Sequence, residues 1–125
     1  MIVLSTNQII QMHSRLIETS GGSEGIRDYG LLDSAVHAPF QTYEGVSFYP
    51  SLISKGARLG YGIIRNHPFL DGNKRIGTHA MLVFLALNGI SIDYDDDDLI
   101  SMIMDVAAGK MEFDSFLVWV ESHVK

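Results

Sequence analysis

Apolar residues recur at helical spacing along nearly the whole chain. After a Ser/Thr/Asn opening, residues Thr6 to Thr19 place Ile9, Ile10, His13, Leu16 and Ile17 on one face, and Ser20-Gly21-Gly22-Ser23 breaks the pattern. Asp28 is positioned to cap a short helix over Leu31 to His37, which Pro39 ends. Residues 40–50 combine aromatics with Gly45 and Pro50, the composition of an irregular loop or short hairpin.

Leu52, Gly56, Leu59, Gly60 and Ile63 form the next stripe. Glycine in a helix interior costs about 1 kcal/mol against alanine, so Gly56 and Gly60 predict a second helix packed very close. From Asn73 to Leu87 the apolar positions Ile76, Ala80, Val83, Phe84 and Leu87 are joined by Met81, Leu82 and Leu85 on other faces. A helix apolar nearly all round is buried, and Asn88-Gly89 stops it. Ile90 to Asp93 reads as extended. One further helix is capped within Asp95–Asp98 and reaches about Ala108, and another runs from near Phe113 to His123 with Phe116, Leu117 and Val120 inward. The expected fold is all-α, a single compact domain over 1–125. About six or seven helices surround a central buried helix at about 73–88, with a short β flap near 43–49.

Composition narrows the class. At 46% hydrophobic and 19% charged, the chain is globular rather than disordered. It has no cysteine, which excludes disulfides and thiolate metal sites. A net charge of −6 argues against nucleic acid as a partner, since phosphate neutralisation drives that binding. The Asp95–Asp98 run lacks the glycine and glutamate of a calcium loop and reads as a solvated helix start. The N-terminus has no signal-peptide pattern, and the longest strongly apolar stretch, Ala80 to Leu87, is too short to cross a bilayer. These features predict a soluble, cytoplasmic protein with no membrane association.

Candidate chemistry concentrates in His67-Pro68-Phe69-Leu70-Asp71-Gly72-Asn73-Lys74-Arg75. Pro68 disfavours the right-handed helical region at His67, so the preceding helix should end at about Asn66 with His67 extended. Asp71-Gly72-Asn73 is turn and cap chemistry, which starts the next helix near Asn73. Lys74 and Arg75 then occupy a first turn where the helix dipole disfavours cations. One reading is a capped loop in which Asp71 caps the helix and pairs with Lys74 or Arg75, with His67 a satisfied loop residue. The other is an anion site built from free N–H groups, two cations and a positive dipole end, for which phosphate is the commonest ligand. The two-cation helix start favours the second. Asp71 at its rim is placed for Mg²⁺ beside phosphate, and His67 for a hydroxyl proton. Together these point to transfer of a phosphorus-containing group to a hydroxyl.

At these residues the sequence resembles the Fic/Doc family, whose signature is His-x-Phe-x-Asp/Glu-Gly-Asn-Gly/Lys-Arg; His67, Phe69, Asp71, Gly72, Asn73 and Arg75 match. Gly25 to Ala35 resembles the family's N-terminal segment, so the likeness covers most of the chain. Lys74 stands where typical Fic enzymes carry glycine, and Thr78 where they carry a second arginine; both departures resemble the Doc branch of toxin–antitoxin modules. That resemblance implies a nucleotide bound in reversed orientation and an ATP- and Mg²⁺-dependent protein kinase. The implied target is translation elongation factor Tu and the implied outcome translation arrest, with an antitoxin peptide as inhibitor. The alternatives are Fic-type adenylylation and a non-enzymatic binding module.

The implied roles are His67 as base, Asp71 as metal ligand, and Gly72, Asn73, Lys74 and Arg75 as phosphate cradle through backbone and side chains. Phe69 is expected to anchor the loop in the core, and His79, one turn beyond Arg75, is a candidate for the pocket wall. His13, His37 and His123 are expected to be structural. Tyr43, Glu44, Gly45, Val46 and Ser47 lie where Fic proteins carry a target-docking flap; an aromatic loop packed on the core fits equally. Ser20 and Glu24-Gly25 match an inhibitory Fic pattern, but Gly21-Gly22 argues against the helix it needs.

Overall fold

The computed structural model describes residues 1–125. Six helices account for most of them: α1 (Thr6–Ser20), α2 (Tyr29–His37), α3 (Leu52–Asn66), α4 (Asn73–Leu87), α5 (Asp96–Ala107) and α6 (Phe113–Ser122). A 3₁₀ turn over Ala38–Phe40 extends α2, with Pro39 early in it. The short hairpin pairs β1 (Thr42–Tyr43) with β2 (Val46–Ser47), antiparallel. Ile92 also bridges Val124 antiparallel, so the extended stretch after α4 ties down the C-terminus. No helix is long and apolar enough to cross a membrane.

Local chemistry explains the boundaries. Ser5 and Gln8 form a capping box on α1, Ser51 and Ser54 another on α3, and Asp28 caps α2. Asp95 caps α5 and Asp96–Asp98 fill its first turn, where the helix dipole favours acid.

The centre is the α3–α4 pair, with α2, α5 and α6 packed on α3 and with α1 and α5 on α4. The close approach expected from Gly56 and Gly60 is present. A Cβ on Gly60 would lie 3.0 Å from the Gly77 carbonyl oxygen and 3.0 Å from Met81 Cβ, and one on Gly56 would lie 2.7 Å from Leu85. Gly77 mirrors the arrangement: a Cβ on it would lie 3.0 Å from the Gly60 carbonyl oxygen. Backbone therefore meets backbone, and the six-residue connection from α3 to α4 is held by two helices that cannot slide apart without opening the core. Phe69, Phe84, Phe116, Ile63, Ile76 and Met81 are fully buried around this contact.

Candidate active site

The helix exit differs from the sequence expectation at one residue. α3 ends at Asn66 as expected, but His67 is left-handed, with φ 50° and ψ 53°, rather than extended. Proline disfavours the right-handed region before it and leaves more than one alternative. The local hydrogen bonds select this one. The His67 N–H donates to the Ile63 carbonyl, closing the last turn. Arg27 donates from Nε to the His67 carbonyl at 2.7 Å and from Nη2 to the Asn66 carbonyl at 2.9 Å. The backbone N–H groups of Arg27 and Asp28 both donate to the Pro68 carbonyl, Leu70 N–H donates to Gly25, and Ile26 bridges Phe69. The connection between α1 and α2 thus braces the His67 loop along its length, leaving the imidazole exposed.

Inside the loop, Phe69 is fully buried and anchors it, as expected. Asn73 is also buried, and here the expected role changes. Its Oδ1 accepts from Phe69 N–H at 2.9 Å and its Nδ2 donates to the Phe69 carbonyl at 3.0 Å. The carboxamide is spent closing the loop on itself, so Asn73 can offer a cradle only its backbone N–H. His13, expected to be merely structural, is buried beneath the loop. Its ring stacks on Phe69, and its Nε2 donates to the Asp71 carbonyl at 2.7 Å. A carbonyl only accepts, so Nε2 carries the proton.

At the start of α4 the capped-loop alternative does not hold. The N-cap is Gly72, left-handed at φ 77°, with no side-chain cap, and Asp71 forms no ion pair with Lys74 or Arg75. The amides of Asn73, Lys74 and Arg75 have no acceptor within the protein. Asp71 instead takes Ser23 N–H on Oδ2 at 3.0 Å and Gly72 N–H on Oδ1 at 2.8 Å. These two donors hold its carboxyl below the usual carboxylate range; partial desolvation opposes them, and the charges of Arg75 and His13 add to them. Arg75 donates from Nη1 to the Gly21 carbonyl at 2.9 Å.

His67, Asp71, Gly72, Asn73, Lys74 and Arg75 line one cleft of about 200 Å³, walled by Ile64, Leu70 and Ala107. His79 is not in that wall. With Thr78 it lines a neighbouring groove of about 380 Å³ between α1, α4 and α5, floored by Leu16, Leu82, Leu99 and Ile103. One turn advances a helix about 5 Å, enough to carry His79 past the loop. Lys74 and Arg75 border both spaces. Thr78 donates its hydroxyl to the Lys74 carbonyl at 2.7 Å, so it brings no charge to the cleft.

The hairpin stands clear of the core: Tyr43 and Val46 are 67% and 68% exposed, against the packed-loop alternative. Glu44 and Gly45 form its turn, both with positive φ, and Ser47 accepts from Lys55 Nζ at 3.2 Å. Glu24 accepts from Ser14 Oγ at 2.6 Å and lies beyond the end of α1, so no glutamate-bearing helix enters the cleft.

An exposed imidazole, an ionised carboxylate, three unpartnered amides and two cations therefore share one small cleft. Asp71 is the sole acidic side chain in it, and no cluster of three or more metal-ligating side chains exists in the chain. That suits Mg²⁺ shared with a ligand's phosphates, which needs few protein ligands. Residues 3–85 match the sequence model of the Fic/DOC family. The chain is 42% identical over 97 residues to a protein named Toxin Doc from Mycolicibacterium smegmatis, covering 76% of this chain and 75% of that one. It is 27% identical over 112 residues to one named Protein kinase doc from Escherichia phage P1, covering 90% and 87%.

Proposed function

The chain belongs to the Fic/Doc family, and from that premise we propose that it is a Doc-type toxin that phosphorylates a hydroxyl side chain of translation elongation factor Tu, using ATP and Mg²⁺ and so arresting translation. The observation that carries this reading is the start of α4: three free amides with Lys74 and Arg75 at their side, in the cleft that holds His67. The relative named a protein kinase supports phosphoryl rather than adenylyl transfer. So does Thr78, which leaves the cleft without the second arginine clamp of typical Fic adenylyltransferases.

In this reading His67 accepts the proton of the target hydroxyl, whose oxygen attacks the γ-phosphorus as the bond to the β,γ-bridging oxygen breaks. The amides of residues 73–75, with Lys74 and Arg75, bind and orient phosphate oxygens and stabilise their growing charge. Asp71 would hold the metal, which when bound neutralises phosphate charge and aligns it for in-line transfer. The exposed hairpin edge at Tyr43–Ser47 docks the target as an added strand.

Incubating the protein with elongation factor Tu and ATP labelled at the α or the γ position tests this. Label from γ alone is expected. Label from α would establish adenylylation, and no label on any protein of a whole-cell lysate would sink both readings. His67→Ala should abolish transfer with the fold intact.

A toxin of this kind works under an antitoxin. The groove between α1, α4 and α5 has the apolar floor an amphipathic helix requires, and it ends at Lys74 and Arg75. An antitoxin helix seated there would take up cations that the cleft also uses. Ile100 also lines this groove and is largely exposed; Ile100→Glu should release the toxin from neutralisation without lowering transfer, and unchanged neutralisation would reject this location.

A further inference from the structure

Asp71 in the loop and Arg75 in the first turn of α4 are both held by the turn that follows α1. Ser23 N–H donates to Asp71 Oδ2, and the Gly21 carbonyl accepts from Arg75 Nη1. Between them sits Gly22, at φ 118°, a conformation open essentially to glycine alone. A Cβ there would lie 2.6 Å from Asp71 Oδ2, 2.9 Å from Arg75 Nη2 and 3.0 Å from Ile17 Cδ1. The turn therefore presses against both functional side chains with no room for a methyl group.

We propose that the Gly21–Ser23 turn is a positioning element of the nucleotide site, setting the Asp71 carboxylate and the Arg75 guanidinium for a metal-bound polyphosphate, with Gly22 as the residue on which this depends. The inference rests on the reading of the cleft as a nucleotide site and deepens it.

The geometry favours positioning over blockade. Each Asp71 oxygen accepts one protein N–H, Oδ1 from Gly72 and Oδ2 from Ser23, so each keeps lone-pair capacity. Arg75 spends a single N–H on Gly21, and a guanidinium has most of its donors left after that. Both groups are thus oriented without being saturated. This is the pattern of an outer shell that fixes ligands, whose loss typically lowers metal affinity or activity about 10- to 100-fold. In the sequence alone, Gly21-Gly22 reads only as a helix stop.

The test compares Gly22→Ala with Gly89→Ala. Gly89 also has positive φ (82°) but nothing within 4 Å of its would-be Cβ, and it lies at the far end of α4. Two measurements are made on the full-length protein: calorimetric affinity for Mg²⁺·ATP, and hydrogen exchange at the Ser23 amide without ligand. Thermal unfolding checks that each variant is folded. The expected result is a fall in Mg²⁺·ATP affinity of about 10- to 100-fold and faster Ser23 exchange in Gly22→Ala, with neither change in Gly89→Ala. Unchanged affinity in a folded Gly22→Ala, or an equal loss in Gly89→Ala, overturns the inference. Failure of the unaltered protein to bind Mg²⁺·ATP retires the nucleotide reading itself. The exchange arm then decides alone, and a Ser23 amide that exchanges as fast in the unaltered protein as in Gly22→Ala overturns the turn's role.

Discussion

The imidazole of His13 lies flat on the ring of Phe69, with 3.8 Å between centroids and 11° between planes, while its Nε2 reaches the Asp71 carbonyl at 2.7 Å. One α1 side chain thus fixes two points of the functional loop, its buried anchor and its acidic rim.

Replacing His13 should separate those two contacts. His13→Ala loses both ring packing and hydrogen bond and should destabilise the protein by about 2–4 kcal/mol. His13→Phe keeps a stacked ring, leaves the Asp71 carbonyl unpaired and should cost about 1 kcal/mol. Urea unfolding of the two variants measures the difference. Equal losses would mean that the ring stacking contributes nothing, and an unchanged stability in His13→Phe that the hydrogen bond contributes nothing.

Arg27 holds the helix exit on which His67 rides. Arg27→Ala removes two side-chain hydrogen bonds to exposed carbonyls and should lower stability by only about 1–2 kcal/mol. It should reduce transfer far more, about 10-fold or beyond, because a small misplacement of a catalytic group is amplified in rate. Arg27→Lys should rescue little, since an ammonium cannot span two carbonyls as the planar guanidinium does. Paired measurements of unfolding and labelled-phosphate transfer check this, and full rescue by lysine would reject the fork geometry.

Asn73→Ala leaves the buried Phe69 N–H and carbonyl without partners and should cost about 2–4 kcal/mol. Asn73→Asp restores the acceptor but sets a carboxylate oxygen against the Phe69 carbonyl, so it should recover only part of the loss. Thermal melts of both variants decide. Near-neutral substitutions would return the Asn73 side chain to the cleft.

Acid should reveal the Asp71 contacts. Its carboxyl is held below the unfolded value of 3.8, first by Ser23 N–H and then by Gly72 N–H. A depressed folded-state value means that stability is present above the unfolded value and is lost as pH falls through the folded one. Unfolding free energies of the unaltered protein and Asp71→Asn, measured from neutrality to strong acid, should therefore differ most at neutral pH. They should draw together only below 3.8. A constant gap across the range would show that the carboxylate's charge plays no part.

Much of the frame was legible because its causes are local. Pro68 and Gly72 mark the ends of α3 and α4, and Gly56 and Gly60 announced a close helix neighbour that proved to be α4. What was missed lies across long separations. His13 and Asp71 are 58 positions apart, and Arg27 and His67 are 40 apart. Neither pair has a spacing that periodicity can report. The left-handed backbone of His67 escaped for the same reason, since the Arg27 clamp that accompanies it comes from another part of the chain. His79 was misplaced by treating one helical turn as the same pocket, although it lines the groove next door. Asn73 was readable in principle: an asparagine four residues after Phe69, across a glycine turn, is spaced to close that turn on itself.

The contact between Gly60 and Gly77 has a mechanical meaning. Two helices that meet backbone to backbone at one crossing, with side chains packed around it, act as the tines of a stiff fork, and the His67 loop is its crotch. Deforming that loop means prising the tines apart against the whole core. The imidazole therefore has no hinge of its own, and whatever approaches it must conform to a shape already set. An inhibitor would gain nothing by waiting for the loop to open. It would have to compete for the cleft as it stands, or lean on the groove beside it.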